Sequence, residues 1–197
     1  MTDDPTLTFA DSSHWASWLA ANHASSKGVW LALAKKGAAH TTVTYAEALD
    51  EALAWGWIDG QKRPQDESAW LQRFTPRKAR SPWSKINRDK VAVLTKAGRM
   101  QPPGIAEVER ARKDGRWEAA YDSAKTSTVP EDLAAALAAN PKAQTFFATV
   151  DAANRYAVLY RVQTAKKPET RAKRITDFVA MLARGETLHP KRPTKAK

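Results

Sequence analysis

Trp55-Gly56-Trp57-Ile58-Asp59-Gly60, then after a charged loop Ala69-Trp70-Leu71-Gln72-Arg73-Phe74-Thr75-Pro76-Arg77-Lys78-Ala79-Arg80-Ser81-Pro82-Trp83-Ser84-Lys85-Ile86-Asn87, is the stretch on which the fold turns. Gly56 suits the residue just past a helix end. Trp57-Ile58-Asp59 then reads as a strand, Gly60 to Ser68 as a turn or loop, and Ala69 to Phe74 as a returning strand. Pro76 and Pro82 bracket a segment that cannot be a regular helix. Ser84 is placed to cap a helix from Lys85 to about Ala97, with Ile86, Val93, Leu94 and Ala97 inward.

Upstream, Asp11 reads as the N-cap of a helix carrying Trp15, Trp18 and Leu19. Val29-Trp30-Leu31-Ala32-Leu33-Ala34 is a short apolar run between Gly28 and Gly37, which predicts a strand. Thr44 with Glu47 three residues on is a capping box, and Tyr45, Ala48, Leu49, Ala52 and Leu53 share one face of the helix it opens. Downstream, Gly98 ends one helix and Gly115 another running from Ile105 to Lys113. After a polar, Ser/Thr-rich linker at Asp122–Val129, the text becomes helical throughout. Helices open at Pro130, Lys142, Ala152 and Pro168, and the last bears an Ile175, Phe178, Val179, Leu182 stripe.

The predicted fold class is therefore α+β. A small antiparallel sheet of about three strands with packed helices occupies residues 1–125, an all-helical C-terminal unit 126–187, and a disordered basic tail 188–197.

A chain of 197 residues is long enough to bury a real core. Its formal net charge is +11, and taking away the four Lys and Arg of the tail leaves the folded part at +7. Such an excess implies an anionic partner or surface: nucleic acid, a phosphorylated small-molecule ligand, an acidic protein partner or anionic lipid. No apolar run is long enough to span a membrane. The acidic N-terminus lacks the apolar core of a signal peptide, and cysteine is absent, so the expected compartment is the cytoplasm.

Candidate site residues concentrate in the opening stretch. Arg73, Thr75, Arg77, Lys78, Ser81, Trp83, Ser84, Lys85 and Asn87 combine guanidinium forks, hydroxyls and a helix N-terminus, the chemistry of an anion-binding site; the bland alternative is a solvated basic face. Trp57 and Asp59 support it. Asp59 is an acceptor for turn amides, an orienting partner for Arg73 or Arg77, or a general base. Trp57, Trp70 and Trp83 either stack on a ligand or belong to the core, and Trp83, between Pro82 and Ser84, is expected to be the most exposed. A second basic patch is Lys167, Arg171 and Arg174, read alternatively as a salt-bridged helix start with Glu169 paired to Lys173. His14, His23, His40 and His189 have no metal-ligand spacing, so no metal site is expected. There is no Gly-rich phosphate loop and no Gly-x-Ser-x-Gly elbow, hence no expected cofactor and no catalytic signature.

Several motifs resemble one family. They are Gly56-Trp57-Ile58-Asp59-Gly60, Arg73-Phe74-Thr75-Pro76-Arg77-Lys78, Ser81-Pro82-Trp83-Ser84 with Asn87, Gly115-Arg116-Trp117, Pro130-Glu131-Asp132-Leu133, and Ala165-Lys166-Lys167-Pro168-Glu169-Thr170-Arg171 with Arg174-Ile175. On these the chain resembles the YdeI/OmpD-associated, or bacteriocin-protection, family from about Trp15 to Gly185. The resemblance implies a bacterial cytosolic protein linked to envelope stress and to resistance against antimicrobial peptides. It implies no reaction, cofactor or catalytic residue. Three functions follow as expectations: a non-enzymatic protection protein binding an anionic partner, a nucleic-acid binder, or an enzyme on a small phosphorylated or carboxylated metabolite with Asp59 as base and Arg77 as clamp.

Overall fold

The computed structural model describes residues 4–189. They divide between Ala120 and Tyr121 into two compact units. The first is an α+β unit with elements β1 (Thr6–Leu7), α1 (Ser12–Asn22), β2 (Val29–Ala34), α2 (Tyr45–Ala54), β3 (Trp57–Pro64), β4 (Ala69–Pro76), α3 (Lys85–Lys96) and α4 (Pro102–Lys113). The second contains α5 (Glu131–Ala138), α6 (Pro141–Thr149), α7 (Ala152–Gln163) and α8 (Pro168–Ala183). No helix among the described residues is long and apolar enough to cross a membrane.

Helix boundaries follow from local capping chemistry. The Asp11 carboxylate accepts the Ser13 and His14 amides at 2.9 and 3.0 Å and opens α1. Thr44 and Glu47 bond reciprocally: Thr44 Oγ1 accepts the Glu47 amide, and Glu47 accepts the Thr44 amide at 2.9 Å. Gly56 leaves α2 at φ +76°, a left-handed turn that glycine adopts without a Cβ penalty.

The sheet has the order β1-β2-β4-β3. β2 with β4, and β4 with β3, are antiparallel, as the sequence suggests. β1, which the sequence reading missed, is parallel to β2, so the sheet is mixed rather than purely antiparallel. A two-residue strand has too little periodicity to be legible. β3 also outruns its expected end at Asp59: it continues to Pro64 through an irregularity between Asp59 and Lys62. That irregularity is a bulge-like break in register, which masks alternation in the sequence.

One face of β2 contributes Val29, Leu31 and Leu33 to a core with Trp15, Leu19, Leu49, Leu53, Trp57 and Phe74. Trp30, Ala32 and Leu71 form a smaller buried cluster of their own. Burial of both alternating sets explains why β2 reads as an unbroken apolar run. Trp15 stacks on Trp18 at 5.3 Å between ring centroids and meets Trp57 edge-on at 6.3 Å. Two of the buried indoles are satisfied by backbone carbonyls: Trp15 Nε1 donates to Ala48 O and Trp57 Nε1 to His23 O. Trp83 Nε1 is buried without a hydrogen-bond partner among the described residues.

The inward face of α3 differs from expectation. Asn87, Val91 and Leu94 are buried, whereas Ile86 and Val93 are 49% and 67% exposed. Positions 87, 91 and 94 form one stripe at helical spacing, and residues 86 and 93 sit a position round from it.

In the second unit, Leu133, Leu137, Phe147, Val158, Leu159, Val162, Ile175, Phe178 and Leu182 make the core. Asn140 and Asp151 cap α6 and α7. Leu188 packs against this core, and His189 exchanges backbone hydrogen bonds with the Asn154 side chain. These two residues, expected to open the disordered tail, are thus held in place; the rest of that expected tail, 190–197, lies outside the described residues.

Candidate functional site

A cleft of about 1100 Å³ opens on the first unit. Its wall is built from the α1–β2 connection (Ala24, Ser25, Ser26, Lys27), from Gly60 and Gln61 in β3, from Arg73, Thr75 and Pro76 in β4, and from Arg77, Lys78 and Ser81 beyond it, with Asp4 at one side. Five residues predicted from sequence meet here: Arg73, Thr75, Arg77, Lys78 and Ser81. Four cations line it against one carboxylate.

Each cation is held differently. Arg73 Nε donates to Asp4 Oδ2 at 2.7 Å and Nη2 lies 2.5 Å from the same oxygen. Arg77 is 5% exposed; its guanidinium sits over Trp83, Cζ 3.6 Å from the ring centroid, and Nη1 donates to Pro82 O at 3.2 Å. Lys27 and Lys78 are exposed at the cleft. The Lys78 amide is held by Ser81 Oγ at 3.1 Å.

Two residues outside the predicted set, Gln72 and Arg116, tie down the cleft wall. Gln72 is buried in β4 and its Nε2 donates to Gly60 O at 3.0 Å and Gln61 O at 3.3 Å, tying down the irregular part of β3 that faces the cleft. A lone amide in the apolar run Ala69–Phe74 was the available signal. Arg116 is 6% exposed; Nη1 donates to Ser81 O at 2.8 Å and Nε to both Asp114 carboxylate oxygens at 2.8 Å. Consecutive carbonyls, Ser81 O and Pro82 O, are therefore each gripped by a buried arginine. Glu107 sits near both arginines; burial pushes its carboxyl above the usual range, while the charges of Arg110, Arg116 and Arg77 oppose that shift.

The other predicted residues lie elsewhere. Trp83 is 1% exposed, enclosed by Arg77 and by Trp117 at 4.9 Å between centroids. It is a core residue rather than the most exposed of the Trp set: of the two readings open to it, core packing and ligand contact, burial between Arg77 and Trp117 selects the first. Ser84 is buried and its Oγ accepts the Asn87 amide, capping α3; the Asn87 side chain is buried with it, and Lys85 begins the helix at the surface. Trp57 is core. Asp59 does not join Arg73 and Arg77: it accepts the Tyr45 hydroxyl at 2.8 Å. Burial first, and the Asp59 hydrogen bond second, hold the Tyr45 phenol well above its ordinary pKa. Trp70 is partly covered by Lys62, whose Nζ is 3.9 Å from its ring centroid, and Trp30 by Arg63 at 4.0 Å. None of the eight Trp lines the cleft.

In the second unit Arg171 grips Asp132 with Nε at 2.6 Å and Nη2 at 2.8 Å, and donates Nη1 to Val162 O. Arg174 Nη1 donates to Arg161 O, and Lys167 precedes α8 at the surface. Lys173 pairs with Asp177, not with Glu169 as expected. Among the described residues no group of three His, Asp or Glu is arranged to hold a metal.

A sheet-and-helix unit with a basic cleft, joined to a helical unit, defines a two-part chain, and comparison with known families divides it the same way. Residues 7–107 match a domain of unknown function (DUF8412), and residues 126–185 match the family described as Bacteriocin-protection, YdeI or OmpD-Associated. The chain belongs to the first of these families, which spans half of it, and its helical unit matches the model of the second. Of the motifs that carry the resemblance, those at Pro130 and Ala165 fall inside the bacteriocin-protection match; those at Gly56, Arg73 and Ser81 fall inside the other, and Gly115-Arg116-Trp117 lies between the two. No curated protein and no solved structure matches the chain.

Proposed function

We propose that the chain is a non-enzymatic, cytoplasmic protection protein of the YdeI/OmpD-associated type, and that its first unit binds an anionic ligand in the cleft bounded by Lys27, Arg73, Arg77 and Lys78. The observation that carries this reading is the convergence of four cations, four hydroxyl-bearing residues and two β3 residues on one concavity. Fixed and mobile charges are combined there: Arg77 is immobilised by Trp83 and Pro82 O, while Lys27 and Lys78 are exposed. Pre-placed charge of this kind attracts an anion at little ordering cost.

The burial of Trp83, and the absence of any Trp from the cleft wall, weigh against a base-stacking nucleic-acid site. The separation of Asp59 from Arg73 and Arg77 weighs against the acid–base enzyme. Calorimetric titration with inorganic phosphate, pyrophosphate, citrate and a single-stranded oligonucleotide tests the reading. A saturable response to a small anion, weakened about tenfold by Lys78→Glu, is expected, since reversing a charge beside an anion changes attraction to repulsion. A response to the oligonucleotide alone, or one indifferent to Lys78→Glu, overturns it.

A further inference from the structure

Asp4 is a carboxylate seated in a place built for one. Its Oδ2 receives both Nε and Nη2 of Arg73, and the two side chains are 9% and 19% exposed. The seat is completed by Gly28: a Cβ there would stand 2.8 Å from Asp4 Oδ2 and 3.0 Å from Thr75 Cγ2. Glycine thus makes room for an oxyanion against β4. The segment carrying Asp4 is lightly anchored. Beyond this pair, Asp4 and Pro5 are held through the Trp30 amide donating to Pro5 O at 2.9 Å; the firmer anchor lies after them, in the two-residue strand β1, whose Leu7 packs against the core. A backbone hydrogen bond of this kind resists displacement weakly.

Resting on the anion-cleft reading, we propose that the Arg73 fork, with Gly28 and Thr75, is a subsite for a ligand carboxylate or phosphate, and that Asp4 is the chain's own occupant of it. A guanidinium fork presents parallel N–H donors that carboxylate and phosphate oxygens match equally. An incoming anion therefore exchanges with Asp4 at Arg73 while its remaining charge meets Lys27 and Lys78. Because Asp4 is tethered, it competes at a high effective concentration and lowers the apparent affinity of the free ligand by the fraction of time it is seated.

The test uses the full chain with pyrophosphate as probe, comparing wild type, Asp4→Ala, Arg73→Ala, the double variant and Lys78→Glu by calorimetry. In parallel, hydrogen exchange at the Trp30 amide reads whether the segment bearing Pro5 leaves. Asp4→Ala is expected to bind roughly fivefold to tenfold tighter, the double variant to lose that gain, and pyrophosphate to speed Trp30 exchange in wild type. Binding that responds to Lys78→Glu but is equal in wild type and Asp4→Ala, with Trp30 exchange unmoved, overturns the Arg73 subsite and leaves the cleft reading standing. Weaker binding in Asp4→Ala also overturns it, since Asp4 would then assist the ligand. No binding by any variant overturns both.

Discussion

The Arg77 guanidinium sits over the indole of Trp83, its Cζ 3.6 Å from the ring centre, and both residues are almost fully buried. A guanidinium that would be expected at a basic surface is thus part of the unit's interior. Its charge reaches the cleft from below, while its position is set by an aromatic face and the Pro82 carbonyl. The arrangement ties the folding of the 77–84 segment to the electrostatics of the cleft it lines.

Arg77→Ala is therefore expected to destabilise the first unit by about 2–4 kcal/mol, from lost stacking, a lost hydrogen bond and a cavity over Trp83. Arg77→Lys should recover little of this, because an ammonium neither stacks as a plane nor forks. Denaturant unfolding followed by Trp emission measures it cleanly, since the last Trp in the chain is Trp117 and the signal reports the first unit alone.

Arg116→Ala acts on the cleft at one remove. It releases Ser81 O and leaves that turn held by Arg77 and the Lys78–Ser81 contact. The expected result is a fall of roughly 1–3 kcal/mol in stability together with weaker anion binding. Arg116→Lys, which can donate to Ser81 O but cannot match the Asp114 carboxylate, should restore binding more than stability; equal recovery of both would show that Arg116 has no positioning role.

Gly104 is where α4 crosses the end of α2. A Cβ on it would lie 2.1 Å from Ala54 O, a carbonyl that also accepts the Gln101 amide at 3.0 Å. Gly104→Ala must push the two helices apart, with an expected cost of about 2–4 kcal/mol, well beyond the small gain alanine brings to a helix interior. Thermal unfolding of the variant checks this. Gly98→Ala serves as the control: its Cβ would meet nothing within 4 Å, although its φ of +66° still costs some strain.

In the second unit the hydrogen bond from Arg171 holds the Asp132 carboxyl below its usual range. Because the folded pKa is the lower one, this pair's contribution is present above the ordinary carboxylate range and is lost as pH falls through the depressed value. Unfolding of the helical unit, followed by NMR signals of Leu133 and Val162, should shift to lower denaturant as the solution is acidified. Asp132→Asn should reduce stability at neutral pH and flatten that dependence; an unchanged pH profile would contradict the assignment.

Much of this was legible in the sequence because it is local. Capping residues Asp11, Thr44 and Ser84 mark their helices through contacts three residues long, and β2 is bounded by glycines. The side of a residue was less legible. Trp83 and Arg77 looked like surface chemistry because their neighbours are Pro, Ser, Lys and Arg; Trp83 packs against Trp117, 34 positions away, a contact that no local pattern encodes. Asp59 found Tyr45 across 14 positions, and Asp4 found Arg73 across 69. The cleft's sequence-distant wall, Lys27 and Gln61, likewise emerges only when β3, β4 and the α1–β2 connection are brought together.

The most direct measurement is a titration of isotopically labelled chain with pyrophosphate at low ionic strength, followed by amide chemical shifts. Saturable shifts are expected at Ser26, Lys27, Gly60, Gln61, Arg73, Thr75, Lys78 and Ser81, and at Asp4, Gly28 and Trp30 where Asp4 leaves Arg73. Shifts absent from the cleft residues, or spread evenly over exposed Lys and Arg such as Lys36, Arg80 and Lys96, would contradict the anion-cleft reading.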